Sequence, residues 1–435
     1  MTETCRRAYR GVLSGLAAVL LALPAGCGGH DRGLSDAELT AMIDSLLPAI
    51  AEASGLEVRR PVRFAMQSRA EARAFIERQL DEQFGHEELG GMTGAYRAFG
   101  LIPDTLDLRA LMLELLTEQV VGYYDPATDR LYVLDEAPAE LAAPVVAHEL
   151  VHALQDQRTD LDSLVAEERG NDRQMAAQAA AEGQAMLVML ALQAAELSGE
   201  PLDPGALPDL GPMMRPVLEA ENAQFPVFQR APRLIRETLV FPYIGGATFL
   251  QALFRRRGAD GEIPVPFGDL LPQSTEQVLE PRRAFLDGRD IPTELELDDP
   301  GDGWSVIYEN TLGMLETSIL LSERIPSGAA GGAAGEAGAA GTAPATEESS
   351  SASGWDGDRY ALVEDPGGGD ALVWYSVWDD AAAADRVADA LRKGPGGWAI
   401  ERMEVDDRPV VRVVVGSIPA EAIPAVRSLE EVATR

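Results

Sequence analysis

The spacing of apolar positions predicts that the first part of the chain is built mainly from helices. Helical spacing or helix-forming composition marks six segments: 35–53, 68–84, 106–118, 138–157, 171–197 and 237–257. The first has Ser35 as its N-cap and Glu38 three residues later, which is capping-box spacing. Runs rich in β-branched and aromatic residues predict strands at 62–67, 120–124 and 130–134. The last two flank the turn sequence DPATD and therefore predict a hairpin.

The pattern changes after about residue 300 to short strands separated by turns. Strands are predicted at 304–308, 360–364, 371–377, 398–405 and 410–415, and helices at 311–321, 381–392 and 419–434. The run 327–354 contains no large apolar residue and is predicted to be a flexible loop. We therefore predict two domains: residues 35–300, and a small α+β sandwich at 301–435 that contains this loop.

The N-terminus has the pattern of an export signal. Arg6, Arg7 and Arg10 precede an apolar run, 11–23, that is too short for a good transmembrane helix. The run ends in LPAGC, which resembles a bacterial lipobox except for the proline three residues before Cys27. We predict a lipoprotein signal peptide at 1–27, lipidation of Cys27 and a tether at 28–34. The protein would be extracytoplasmic, held to the cell envelope by this lipid alone, or secreted.

Composition and charge narrow the possible partners. The 435 residues carry 36 basic and 71 acidic side chains, a net charge of −35. A charge of that sign repels nucleic acid and anionic membrane surfaces, so no nucleic-acid partner is expected. Cys5 is the only other cysteine, so cleavage before Cys27 would leave no free thiol and no disulfide.

The sequence VVAHELVHALQDQ, residues 145–157, contains the strongest chemical motif. His148 and His152 are four residues apart on a predicted helix, so both rings project from the same face. Glu149 lies beside the first histidine, where it can act as a general base on a water molecule. This H-E-x-x-H pattern is typical of zinc metallopeptidases. A helix face without metal is the alternative.

Zinc needs a third protein ligand, and no histidine follows His152, so the ligand must be a carboxylate. Downstream candidates are Asp156, Asp160, Asp162, Glu167, Glu168, Asp172 and Glu182. Glu182 is favoured because it lies on an apolar stripe of its helix, where a carboxylate is costly unless it is paired or metal-bound. Gly183 would then let this helix approach the H-E-x-x-H helix closely. A buried ion pair is the alternative for Glu182, and Asp172 is the next choice of ligand.

Several blocks of sequence resemble a group of largely uncharacterised, exported bacterial H-E-x-x-H metallopeptidase-like proteins of gluzincin type. The blocks are VVGYYDPATDRLYVLDE, VVAHELVHALQDQ, AAEGQAM, FPYIGGATFLQALFRRRG, LLPQSTEQVLEP and GWDGDRYALVEDP. The resemblance covers roughly residues 59–435. It implies an α+β, zincin-like domain with a mainly helical body, a small twisted sheet and an edge strand for substrate. It also implies His148, His152 and Glu182 as zinc ligands and Glu149 as the base.

The expected function is a zinc-dependent peptidase that hydrolyses peptide bonds with a zinc-activated water. Tyr243 is the candidate donor to the tetrahedral oxyanion, because other gluzincins use a downstream tyrosine or histidine; a packing role is the alternative. Strand 130–134 could pair with an extended peptide or protein substrate. Glu280 stands where the group is expected to have a histidine, which bears on catalysis or specificity. The alternative function is a non-catalytic binding lipoprotein on a metallopeptidase scaffold.

Overall fold

The computed structural model describes residues 34–429, without 138, 165–169, 223, 258–260, 302 and 325–350. The signal peptide 1–27 with Cys27, nearly all of the tether 28–34, and most of the loop 327–354 therefore lie outside the described residues. The described chain is a mixed α+β structure with small sheets, as predicted.

Helices form most of the described residues up to about residue 300. In chain order the helices are α1 (Asp36–Ser54), α2 (Arg69–Gln83), α3 (His86–Phe99), α4 (Leu108–Gln119), α5 (Ala139–Arg158), α6 (Leu161–Leu164), α7 (Asn171–Ser198), α8 (Leu210–Asn222), α9 (Pro226–Arg230), α10 (Arg233–Arg256), α11 (Thr275–Leu279), α12 (Gly313–Arg324) and α13 (Ala381–Lys393). The capping box of Ser35 and Glu38 is present at the start of α1.

The strands form two sheets and one short ladder. They are β1 (Arg63–Gln67), β2 (Gly122–Asp125), β3 (Arg130–Leu134), β4 (Leu295–Leu297), β5 (Ser305–Asn310), β6 (Trp355–Glu364), β7 (Asp370–Trp378), β8 (Ala399–Val405), β9 (Arg408–Val415) and β10 (Val426–Ser428). The first sheet has the order β1-β3-β2, the second the order β5-β6-β7-β9-β8, and β4 pairs with β10.

The small sheet confirms the predicted hairpin but corrects the expected substrate strand. β2 and β3 pair antiparallel across the turn, where Thr128 donates to the Asp125 side chain at 2.7 Å. β1 pairs in parallel with β3 along its whole length. Since both edges of β3 are occupied, strand 130–134 cannot add a peptide strand, and the prediction was wrong. The edge strands of this sheet are β1 and β2.

The long helix α7 lies in the centre of the molecule. It packs against α1, α5 and α10, and most of its middle section is buried on every side. Among the described helices it alone is long and apolar enough to cross a membrane, but most of its apolar window is buried inside the protein. This is the environment of a core helix.

The second sheet has both faces covered. Along β7, Leu372, Trp374 and Trp378 join the main core with α12 and α13, while Val373 and Tyr375 face a second cluster beside β4 and β10. This is the alternation of a strand buried on both faces.

The prediction of a helix at 419–434 is wrong for residues 419–429, which are the part of it that the structure describes. The chain forms a short 3-10 turn at Ala420–Ala422 and then the strand β10. Pro424 has no N–H for a helix, and its carbonyl accepts a hydrogen bond from the Tyr375 hydroxyl at 2.6 Å.

Candidate metal centre

Three side chains from two helices converge on one point. His148 and His152 extend from α5, and Glu182 extends from the facing turn of α7. The His148 Nε2 atom lies 3.0 Å from Glu182 Oε2 and 3.1 Å from His152 Nε2, and the third separation is 3.3 Å. A tetrahedral zinc ion with bonds of about 2.0–2.1 Å places its ligand atoms about 3.3 Å apart. The three residues therefore fit such an ion.

Glu149 is next to this cluster and is fully buried. Neither of its carboxylate oxygens has a hydrogen-bond partner within the described residues, although the backbone of Tyr124 is close enough to act on its charge. Burial raises the pKa of Glu149 to about 8, partly offset by the charge of His152. Burying a carboxyl without hydrogen-bond partners lowers the stability of the folded protein. Packing alone therefore does not explain why a glutamate lies at this position.

The two histidines and Glu182 influence each other's charge strongly. Burial opposes the charge on both His152 and Glu182, but their mutual attraction outweighs it. This attraction raises the pKa of His152 and lowers the pKa of Glu182. For His148, burial dominates and the pKa is lowered. The remaining oxygen of Glu182, Oε1, has no hydrogen-bond partner among the described residues.

Two buried glutamines extend a chain of hydrogen bonds from His152, and the sequence patterns predicted neither of them. Gln155 Oε1 lies 2.8 Å from His152 Nδ1, and Gln155 Nε2 donates to the Ala181 carbonyl and to Gln184 Oε1. Gln184 Nε2 donates to the carbonyl of Ser54, at the end of α1. The available signal was the H-x-x-Q spacing, which places Gln155 one helical turn after His152.

Glycines set the distance between α7 and α10. A Cβ atom on Gly183 would lie 2.1 Å from the Gly246 backbone, and one on Gly246 would lie 1.9 Å from the Ala179 carbonyl oxygen. The predicted role of Gly183 in close approach is correct, but the partner helix is α10 and not α5. The crossing brings Tyr243, one turn before Gly246, beside the cluster, with its ring centroid 6.1 Å from that of His148.

The other predicted residues lie elsewhere. Asp172 is at the start of α7, where it accepts hydrogen bonds from the backbone and hydroxyl of Thr275. Asp156 accepts from Tyr124 and Arg60, each at 2.9 Å. Glu280 is buried and forms an ion pair with Arg283. Glu167 and Glu168 lie outside the described residues.

Arg283 is also at the centre of a second acidic group. Glu276 and Asp379 form ion pairs with its guanidinium, and Asp290 lies 3.9 Å from it. The carboxylates of Glu276, Asp290 and Asp379 lie close enough together that one metal ion could contact all three. Because a cation of the protein already lies among them, we interpret the group as a structural ion-pair network.

Comparisons with known proteins bear only on the C-terminal part of the chain. A family model described as a domain of unknown function, DUF8575, matches residues 305–433. This range contains the five-stranded sheet with α12 and α13, and it leaves out the histidine cluster. No curated protein and no solved structure matches the chain.

Proposed function

We propose that the protein is a zinc-dependent peptidase of the cell envelope. The observation that carries this proposal is the convergence of His148, His152 and Glu182 within 3.3 Å of one another, with the unpartnered carboxyl of Glu149 beside them. A purely structural metal site has no use for this fourth residue. Its position next to the cluster is what general-base catalysis on a water molecule needs.

Each residue has a role in this proposal. His148 Nε2, His152 Nε2 and Glu182 Oε2 would hold the zinc, which when bound polarises a peptide carbonyl and acidifies water. Glu149 accepts the proton of the attacking water on a carboxylate oxygen and passes it to the leaving amine. Tyr243, beside His148, would donate its hydroxyl hydrogen to the developing oxyanion. An extended peptide would lie along β2, whose Tyr124 backbone is next to Glu149.

One observation favours the second candidate function, a non-catalytic binding lipoprotein with a structural metal. His148 is 1% exposed, and Glu149, His152 and Glu182 are 0% exposed. A peptide can reach Glu149 only if neighbouring elements move apart, whereas a structural metal needs no such opening.

The substitution Glu149→Gln separates the two functions. The mature protein from residue 28 onward, loaded with zinc, would be incubated with an unfolded protein substrate, and cleavage would be followed by mass spectrometry. We expect cleavage by the wild type and a loss of about 10²–10⁴-fold in Glu149→Gln, because the general base is lost. Zinc content should be unchanged, and the exposed Glu87→Gln is the matched control. A wild-type protein that holds zinc and cleaves nothing would favour the binding lipoprotein.

A further inference from the structure

The amide of Gln155 has one orientation that satisfies its surroundings. Its Nε2 atom faces two acceptors, the Ala181 carbonyl at 2.9 Å and Gln184 Oε1 at 3.0 Å. A carbonyl oxygen only accepts hydrogen bonds, so the nitrogen must point toward it. The other end of the amide, Oε1, is therefore the atom that faces His152 Nδ1 at 2.8 Å.

Gln184 is fixed in the same way. Its Nε2 donates to the Ser54 carbonyl at 3.0 Å, which leaves its Oε1 to accept from Gln155. Both glutamines are completely buried, so no water competes for these bonds. The two backbone carbonyls thus set the direction of the whole chain of hydrogen bonds, from Ser54 through Gln184 and Gln155 to His152.

This direction determines which nitrogen of His152 carries the hydrogen. Because Gln155 Oε1 accepts, His152 Nδ1 must donate. In the neutral ring the lone pair then lies on Nε2, the atom that faces His148 and Glu182. A histidine binds a metal through the nitrogen that has no hydrogen, and a hydrogen bond at the other nitrogen orients the ring.

We propose that Gln155 is a positioning residue for His152 and that Gln184 holds Gln155 in the required orientation. The inference rests on the proposed function, since it assigns to these two amides the orientation of a metal ligand. α1 takes part through the Ser54 carbonyl, so the end of a helix distant in sequence helps to define the cluster.

The tautomer can be measured without metal. The chain has only four histidines, so selective nitrogen-15 labelling gives a simple spectrum in which ring nitrogens with and without hydrogen are distinguished. Despite burial, the charge of Glu182 raises the pKa of His152 to about 9, so the metal-free protein is measured above this pH, where the ring is neutral. Under these conditions we expect the wild type to show His152 with its hydrogen on Nδ1. Gln155→Met should lose this preference. Gln155→Glu should keep it, because one oxygen of a protonated carboxyl still accepts from Nδ1 while its O–H replaces Nε2 as the donor to the Ala181 carbonyl.

Zinc affinity, measured by competition with a chelator, is the second readout. We expect about 10- to 100-fold weaker binding in Gln155→Met, as is usual when the partner of a metal-binding histidine is removed. Gln251→Met is the matched control, because Gln251 is a buried amide that donates to the Leu207 and Pro208 carbonyls and has no described contact with the cluster. It should bind zinc as the wild type does.

The possible outcomes are distinguishable. A folded Gln155→Met protein with an unchanged His152 tautomer and zinc affinity within about twofold of the wild type would overturn the role of Gln155. If Gln155→Met does not fold, Gln184→Met decides by the same two readouts. A wild type that binds no zinc would overturn the proposed function itself.

Discussion

Glu149 is the residue whose environment is hardest to reconcile with stability alone. Its carboxyl is completely buried, next to an α7 glutamate, and both of its oxygens are without hydrogen-bond partners among the described residues. Proteins tolerate such groups mainly where a reaction or a ligand requires them. We therefore expect this residue to lower the stability of the metal-free protein.

Replacing Glu149 with methionine should stabilise the metal-free protein. The substitution removes a buried, unpartnered carboxyl and leaves a side chain of similar length. We expect the free energy of unfolding to rise by about 1–3 kcal/mol. Urea denaturation of both proteins in the presence of a chelator measures it. Glu87→Met, at an exposed position in the first turn of α3, should not raise the free energy of unfolding, because it removes a carboxylate that the helix N-terminus favours. Equal or lower stability of Glu149→Met would show that this carboxyl is better accommodated than its contacts suggest.

At the scale of residues, the sequence predicted His148, His152 and Glu182 but not the two glutamines that are hydrogen-bonded behind His152. The i, i+4 spacing of His148 and His152 and the apolar stripe around Glu182 are local patterns, and local patterns are readable. Gln155 and Gln184 depend on which carbonyls α1 and α7 present to them. That information appears only when the three helices are packed together.

At the scale of elements, the crossing of α7 and α10 determines the shape of the site. Gly183 follows Glu182 directly, and Gly246 lies one turn after Tyr243, so the contact between these glycines positions both candidate site residues. Small residues allow the helix backbones to approach closely. Any side chain at the contact must push the helices apart.

Gly183→Ala should therefore destabilise the protein and disturb the cluster. The new Cβ atom would lie 2.1 Å from the Gly246 backbone, which cannot move aside as a flexible side chain does. We expect a loss of about 1–3 kcal/mol in the free energy of unfolding, together with weaker zinc binding. Denaturant titration and chelator competition measure the two effects.

The matched control is Gly90→Ala in α3. Gly90 is exposed, and a Cβ atom there would meet no other atom within 4 Å. Alanine in an open helical position should stabilise by about 0.5–1 kcal/mol. If both alanine variants behave alike, the contact between α7 and α10 is looser than the described geometry.

The elements themselves were partly predictable. The limits of α5 and of α7 differ from their predicted limits by about one residue, because their apolar periods are long and regular. The failures come from long-range pairing. Nothing near β3 in sequence reveals that β1 occupies its second edge, and β10 forms because β4 is available to pair with it.

At the scale of the whole molecule, buried polar groups connect the N-terminal helices to the C-terminal sheet. Glu316 on α12 accepts hydrogen bonds from Tyr96 on α3 and Asn171 on α7, each at 2.9 Å. Asp358 on β6 accepts from the backbone of Leu312 and from the indole of Trp374. These contacts attach the sheet to the start of the helix that carries Glu182.

This network should make stability depend on pH. Burial raises the pKa of Glu316 to about 8 and the pKa of Asp172 to about 7. The folded state therefore holds these protons at pH values where the unfolded chain has lost them. The stabilisation is fully present below the unfolded pKa values and is lost as the pH rises through the folded values. We expect the free energy of unfolding to fall between pH 5.5 and pH 8.5, measured by denaturant titration.

Glu316→Gln isolates the contribution of one group. Glutamine can still accept from Tyr96 and Asn171, but it has no proton to lose. We expect the fall in unfolding free energy over the same pH range to be smaller in this variant by on the order of 2 kcal/mol. A variant that matches the wild-type pH profile would show that Glu316 does not remain protonated in the folded protein.

The most direct test of the central claim is the zinc content of the protein purified from residue 28 onward, measured by elemental analysis. We predict about one zinc per chain in the wild type and in Asp172→Asn, as for a site with three protein ligands. His148→Ala and Glu182→Ala should lose it. A wild type without zinc after exposure to the metal, or Glu182→Ala with its zinc retained, would contradict the account of this site.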